Sequence, residues 1–188
     1  AAALHTVWKT AQTFMEYLSG IASCTADIVA AARAENPDIG IACTRKNFPG
    51  TKAAATKAIL AGGASPHRLS LSETVLVFAE HRSFLSESPA ATLVRLRRLW
   101  PERSIVVEVA DEKEALAWAG ADILQLEKWP VAAVAVLHDR LPEIRLAAAG
   151  GINAGNAAAY AGAGAAILVT SAPYSAVPRD VSVSITAD

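Results

Sequence analysis

SIVVEVADEKEALAWAGADILQLE, residues 104–127, carries two different periods within 24 residues. Ser104–Val109 and Ile123–Leu126 are short, almost unbroken apolar runs, the pattern of strands buried on both faces. Glu112–Ala119 between them has helical spacing. The same alternation continues in both directions. Ile39–Thr44, Val75–Phe78, Ile144–Ala147 and Ala166–Val169 read as strands, and Lys52–Leu60, Ser88–Trp100, Pro130–Leu141 and Ala154–Ala163 as helices. About six strand–helix repeats with no Gly-x-Gly-x-x-Gly turn predict an α/β fold, a (β/α) barrel that is incomplete or irregular.

Ahead of the first strand, Val7, Trp8, Ala11, Phe14, Met15 and Leu18 recur at helical spacing. Gly20 interrupts that pattern, and a second helix is expected over Thr25–Ala34, with Pro37 closing the region. No linker or sequence repeat divides the 188 residues, so one domain over 1–188 is expected.

Hydrophobic residues make up 53% of the chain and charged residues 19%, a balance that excludes disorder. A net charge of −1 supplies no field to draw in nucleic acid or an anionic membrane, so an anionic ligand has to be caught by local cations. Cys24 and Cys43 have no metal-ligand spacing, and neither has a base nearby in sequence. A reduced, cytoplasmic setting is expected. The longest apolar stretch, Ala157–Thr170, is interrupted by Gly162 and Gly164 and is too short for a membrane span.

In a barrel of parallel strands, chemistry gathers where strands end and loops begin. Thr44-Arg45-Lys46-Asn47-Phe48-Pro49-Gly50 follows the first strand and offers a guanidinium fork beside an ammonium, suited to an anion. The bland alternative is an exposed basic turn. Gly62-Gly63-Ala64-Ser65-Pro66-His67-Arg68 adds Arg68 as an anion ligand and His67 as a donor or acid, a weak signal taken alone. Glu108 and Glu127 close two neighbouring strands, where two carboxylates can hold ribose hydroxyls or the Mg²⁺ of a phosphorylated substrate, or simply pair with helices. Ala147-Ala148-Ala149-Gly150-Gly151-Ile152-Asn153 lets a phosphate approach backbone N–H groups at a helix start, or is simply a tight turn, and the loop Thr170-Ser171-Ala172-Pro173-Tyr174 can complete the cradle. Arg95, Arg97 and Arg98 read as a solvated helix face, Trp118 and Trp129 as packing residues, and His5 and His138 as surface or satisfied histidines.

These constellations, in this order, resemble the quinolinate phosphoribosyltransferase family, also called nicotinate-nucleotide pyrophosphorylase. Lys9-Thr10-Ala11, Leu18-Ser19-Gly20-Ile21-Ala22, Thr44-Arg45-Lys46, Gly62-Gly63, His67-Arg68, Glu108-Val109, Ala119-Gly120-Ala121-Asp122 and Gly150-Gly151-Ile152 carry the likeness. Arg145–Asn153 and Val169–Ser175 resemble its ModD pyrophosphorylase subgroup, associated with molybdenum-transport operons. The resemblance implies transfer of phosphoribose from phosphoribosyl pyrophosphate to a nitrogen acceptor, with Mg²⁺ as cofactor. It implies Arg45, His67 and Arg68 on the acceptor carboxylates and Lys46 on pyrophosphate. Glu108 and Glu127 would hold ribose and metal, and Gly150 and Gly151 the 5′-phosphate. Lys9 would reach a neighbouring subunit's site in a homodimer.

Departures from the family pattern fall mostly at the acceptor end. Phe78-Ala79-Glu80-His81 stands where the family has Lys-Asp-Asn-His, a lost cation that costs about 2–4 kcal/mol of binding to a doubly carboxylated acceptor if desolvated. Lys9 replaces arginine, Glu127 aspartate, Ala149 serine and Tyr174 histidine. The family's N-terminal α/β domain has no counterpart in these residues. The leading expectation is therefore a phosphoribosyltransferase with a changed heterocyclic acid acceptor. A true quinolinate enzyme and a non-catalytic phosphometabolite or oxyanion binder are the alternatives.

Overall fold

The computed structural model describes residues 2–68 and 73–186. Seven strands, β1 (Gly40–Cys43), β2 (Ser65–Pro66), β3 (Val75–Val77), β4 (Ile105–Val109), β5 (Ile123–Glu127), β6 (Arg145–Ala149) and β7 (Ile167–Thr170), form one sheet. Their order is β2-β1-β7-β6-β5-β4-β3, and every neighbouring pair is parallel. The sheet curls as a barrel does, but among the described residues β2 and β3 remain its two edges. The fold is an open half-barrel, as the count of repeats predicts.

The helices are α1 (Ala2–Glu35), α2 (Lys52–Ala61), α3 (Ala79–Arg82), α4 (Pro89–Leu99), α5 (Glu112–Ala117), α6 (Val131–Arg140) and α7 (Ala157–Gly162), with a 3-10 turn at Ala172–Ser175. Strand residues alternate between two apolar faces. Val107, Val109, Leu124, Leu126, Leu146 and Leu168 point outward and are buried against the helices. Ala42, Leu76, Val106, Ile123, Ala147, Ala149 and Val169 form a separate inner cluster. Glu108 shares the parity of Val106, and Gln125 and Glu127 share that of Ile123, so the pleat itself turns these three polar side chains into the barrel.

The amino-terminal region corrects the expectation of two helices. Gly20 does not break α1, which runs unbroken for 34 residues. A side chain at Gly20 would place its Cβ 2.5 Å from the Val177 carbonyl oxygen, so this glycine is where the carboxy-terminal segment crosses the helix. That segment is pinned along α1 by Arg179 N donating to Glu16 O at 3.0 Å and Gln12 Nε2 donating to Val181 O at 2.6 Å. At the other end of α1, Ile28, Val29 and Ala32 enter the core. Three elements escaped the apolar pattern because they are too short to show a period: β2, α3 and the 3-10 turn.

Two readings of packing residues hold. Trp118 and Trp129 are buried, and Trp129 Nε1 donates to Val109 O at 3.1 Å. Asp122 works at the amino-terminal end of the strands, away from the loops. It accepts from Ile105 N at 2.7 Å and pairs with Arg97 at 2.9 Å, tying α4 to the start of β4. His138 is different from the expected satisfied histidine. It is half-buried against Gly164, and its Nδ1 has no hydrogen-bond partner. No helix among the described residues is long and apolar enough to cross a membrane.

Candidate functional site

A cavity of about 1190 Å³ opens at the carboxy-terminal ends of the strands. Its floor includes Leu76, Ala149 and Val169 from the inner apolar cluster. Around it stand Arg45, Lys46, His67, Arg68, Glu108, Glu127, Gly150, Gly151 and Ser171. Nine of the residues singled out from sequence thus share one wall-to-wall space, although they come from six different loops or strand ends.

The cationic side is built by the short strand the sequence reading passed over. β2 pairs with β1 through Ala42↔Ser65 and Cys43↔Pro66, and His67 N donates to Cys43 O at 2.7 Å. Two parallel strands ending in register lie about 5 Å apart, which brings His67-Arg68 beside Thr44-Arg45-Lys46. Burial, with Arg68 and Arg45 close by, holds the His67 imidazole below its ordinary value, so it is neutral at pH 7. Burial and Arg45 also lower Arg68, partly opposed by Glu73, but a guanidinium stays charged in any physiological setting. Three cations gathered at the end of two neighbouring strands, with Glu73 acting on Arg68, concentrate positive charge suited to an anion.

Past β7 from β1, at the end of β6, lies the glycine turn. Gly150 and Gly151 both have φ of 83°, the left-handed region. A Cβ at Gly150 would come within 2.5 Å of Lys128 Cγ and 2.6 Å of Glu127 Oε1, whereas one at Gly151 would meet nothing within 4 Å. The first glycine thus lets β5 and β6 close on each other, and the second leaves bare backbone facing open space. Asn153 Nδ2 and Asn156 Nδ2 each donate to Gly151 O at 3.0 Å and fix the peptide's orientation. The glycines do not sit at a helix start, however. Ile152–Asn156 intervene before α7, because the two asparagines build a turn of their own, with Gly155 N donating to Asn153 Oδ1 at 2.8 Å.

Farther along the sheet, on β5 and β4, stand the carboxylates. Glu108 is half-buried and accepts from Gln125 Nε2 at 2.9 Å. Burial raises its carboxyl; the Gln125 hydrogen bond opposes this, Glu127 and Glu80 add to it, and Arg82 lowers it. Glu127 is exposed at the rim.

Two singled-out residues are placed elsewhere. Thr170 is 3% exposed, and its hydroxyl donates to Ile152 O at 2.6 Å while accepting from Ala172 N at 3.1 Å, so it braces the loop and does not line the cavity. Lys9 lies on α1, donates to Gln12 Oε1 at 3.1 Å and stands over the Trp8 ring at 4.6 Å, outside its own chain's cavity. Tyr174 is half-buried and donates to Thr44 O at 2.7 Å, tying the last loop to the first, and burial beside Cys43 pushes its phenol up to about 12.

Sequence reasoning also missed cavity residues: Gln125, Lys128, Lys52 and Leu76. The period-2 alternation of β5 points to Gln125, a lone amide among apolar neighbours. Lys128 holds φ of 58°, a left-handed conformation for a non-glycine residue, with its N donating to Ala149 O at 2.7 Å. No motif announces that. Phe78 lines the wall where the family pattern has a lysine, with its ring 5.6 Å from that of His81.

The model of the quinolinate phosphoribosyl transferase C-terminal domain family matches residues 21–184. The chain belongs to this family. It is 54% identical over 157 residues to "Putative pyrophosphorylase ModD" of Rhodobacter capsulatus, covering 80% of this chain and 61% of that protein. With the protein of the same name from Escherichia coli O6:H1 it shares 42% identity over 193 residues, covering 98% of this chain and 68% of the relative. "Nicotinate-nucleotide pyrophosphorylase [carboxylating]" of Mycobacterium leprae is 32% identical, over 92% of this chain and 62% of the other. The chain therefore spans about two thirds of the length of its curated relatives. In structure it is similar to NadC from Streptococcus pyogenes, with a TM-score of 0.83 at 24% identity over 94% of this chain and 63% of that one. That likeness establishes the fold.

Proposed function

We propose that the chain is the catalytic barrel of a phosphoribosyltransferase that joins phosphoribose to a ring nitrogen of a heterocyclic acid other than quinolinate. One observation carries the reading: a cationic cluster, two carboxylates and an open glycine turn face each other across a single cavity. Phosphoribosyl pyrophosphate presents a 5′-phosphate, ribose hydroxyls and a pyrophosphate, and each finds chemistry of the right sign.

In the proposed reaction the C1′–O bond breaks, pyrophosphate leaves with the electron pair, and the acceptor nitrogen's lone pair forms the C1′–N bond. Positive charge develops on the ribose, and negative charge on the departing pyrophosphate. Lys46 meets the latter, Glu108 and Glu127 the former, so positioned electrostatics supply most of the rate. Arg45, Arg68 and neutral His67 would orient the acceptor's carboxylate. Gly150 and Gly151 would receive the 5′-phosphate, with Ser171 and Lys128 beside them. Mg²⁺ would neutralise charge on the pyrophosphate. Glu127, exposed at the rim, suits it as a carboxylate ligand to a substrate-borne ion, while Glu108 faces the ribose; no cluster of three or more ligating side chains exists among the described residues to hold a resident one.

Phe78 supports the changed acceptor. An aromatic ring on the wall favours a flat, less charged substituent where a second carboxylate would want a cation. The homodimer, with Lys9 reaching a neighbour's cavity, the cytoplasmic setting and a link to molybdenum transport belong to the same proposal and rest on kinship with the ModD relatives. Pyrophosphate release, measured with a panel of heterocyclic acids, tests the acceptor. Activity with a monocarboxylated acid and none with quinolinate is expected, and Phe78→Lys should gain quinolinate affinity by about tenfold or more. Efficient quinolinate turnover by the unaltered protein would contradict the changed acceptor.

A further inference from the structure

Among the described residues, the buried inner face of the barrel is the apolar cluster of Ala42, Leu76, Val106, Ile123, Ala147, Ala149 and Val169, and one buried side chain among them breaks that rule. Gln125 is 5% exposed, yet the inner residues around it are Leu76, Val106, Ile123, Ala147 and Ala149. Its register partners are Glu108 on β4 and Ala147 on β6. One end of the amide is used: Nε2 donates to Glu108 Oε2 at 2.9 Å. The other is not, since Oε1 is buried without a hydrogen-bond partner. A methionine of similar size would fill the same space with no unpaired acceptor, so glutamine destabilises the fold relative to an apolar residue. A stability cost retained at the floor of a cavity points to function.

What the glutamine does is hold Glu108. That carboxylate has like charges near it, Glu127 on β5 and Glu80 on α3, while Arg82 on α3 is the cation that acts on it. Arg82 itself is committed to Glu114 at 3.0 Å. With two like charges acting on it, the side chain is held, among the described residues, by the Gln125 amide, and Ala147 on the far side of Gln125 offers no competing group.

We propose that Gln125 is a positioning residue, whose amide aims the Glu108 carboxylate at the ribose hydroxyls of the bound phosphoribosyl group. The inference rests on the phosphoribosyl-transfer reading. It separates the ribose from the pyrophosphate: loss of the amide should weaken ligands that carry the sugar and spare those that do not.

Calorimetric titration of the full chain with Mg²⁺–phosphoribosyl pyrophosphate and, separately, with Mg²⁺–pyrophosphate makes the test. Gln125→Met should bind the first about tenfold more weakly, as expected for one charge-assisted hydrogen bond, and the second within about twofold of the unaltered protein. Its Tm should rise by roughly 2–4 °C, because an unpaired buried acceptor has been removed. Gln125→Asn, which keeps an amide but withdraws it by one methylene, should show the same loss of sugar ligand without the gain in Tm. In a Glu108→Gln background, Gln125→Met should add no further loss. Equal weakening toward both ligands, or additive losses in the double variant, would overturn the assignment of Gln125 alone. Unaltered protein that binds Mg²⁺–pyrophosphate but not Mg²⁺–phosphoribosyl pyrophosphate would overturn the phosphoribosyl reading and the assignment together.

Discussion

A methyl group on Gly150 would sit 2.5 Å from Lys128 Cγ and 2.6 Å from Glu127 Oε1, while the same group on Gly151 would touch nothing within 4 Å. The two glycines share φ of 83°, so the backbone term of about 1–2 kcal/mol is common to both alanine variants. Gly151→Ala should lose about that much stability, and Gly150→Ala at least about 1 kcal/mol more from overlap; urea unfolding of the pair measures the difference, and equal losses would contradict the packing described here. His67 makes a prediction in pH. Its folded-state value lies below the ordinary 6.5, held there first by burial and then by Arg68 and Arg45. The unfolded chain therefore takes up the proton first on acidification. The contribution of His67 is fully present above about 6.5 and is lost as pH falls toward and through its folded value. Thermal unfolding across pH 7.5 to 5 should show this fall, and His67→Gln should flatten it; an unchanged slope in the variant would assign the acid sensitivity to other groups.

Elements decide which residues meet, and they were unevenly legible. Long apolar runs such as Ser104–Val109 and Ile123–Leu126 declare themselves, because burial on both faces leaves no room for polar residues. β2 spans two residues, Ser65–Pro66, and has no period to read, although it alone brings His67-Arg68 next to Arg45. Glu108 and Glu127 were legible as strand ends. The alternation of β5 marks Gln125 as a lone inward amide, but its role stays hidden until its partner Glu108 is seen opposite. Lys128 was hidden for another reason: its left-handed backbone is imposed by closure of β5 on β6, a tertiary constraint. Gly20 misled in the opposite direction. Glycine lowers helix propensity by about 1 kcal/mol, yet here it permits the carboxy-terminal segment to cross α1. Gly20→Ala should accordingly dislodge residues 176–186, because the new Cβ would lie 2.5 Å from the Val177 carbonyl oxygen. Limited proteolysis should cut the variant faster in that segment. Unchanged cleavage with a raised Tm would mean that helix propensity dominates.

At the scale of the molecule, the open half-barrel gathers charge that the chain as a whole lacks. Net charge is −1, but Arg45, Lys46, Arg68 and Lys128 all line one cavity. Along the sheet the glycine turn after β6 lies between the cations that follow β1 and β2 and the carboxylates of β5 and β4, and Phe78 replaces charge with an aromatic ring on the wall. In the proposed reading, Lys46, the carboxylates and the glycine turn serve the phosphoribosyl donor, while Arg45, Arg68, His67 and Phe78 set the acceptor. The amino-terminal half of α1 exposes Leu4, Val7, Phe14, Met15 and Tyr17, each about half accessible or more. In the proposed homodimer this row belongs near the neighbour that Lys9 serves. The most direct test of the whole account is calorimetric titration of the chain with Mg²⁺–phosphoribosyl pyrophosphate, beside a folded Gly151→Asp variant whose carboxylate would occupy the open turn. Saturable binding by the unaltered chain, abolished in the variant, is the predicted result. Failure of the folded chain to bind, or equal binding by both proteins, would contradict it.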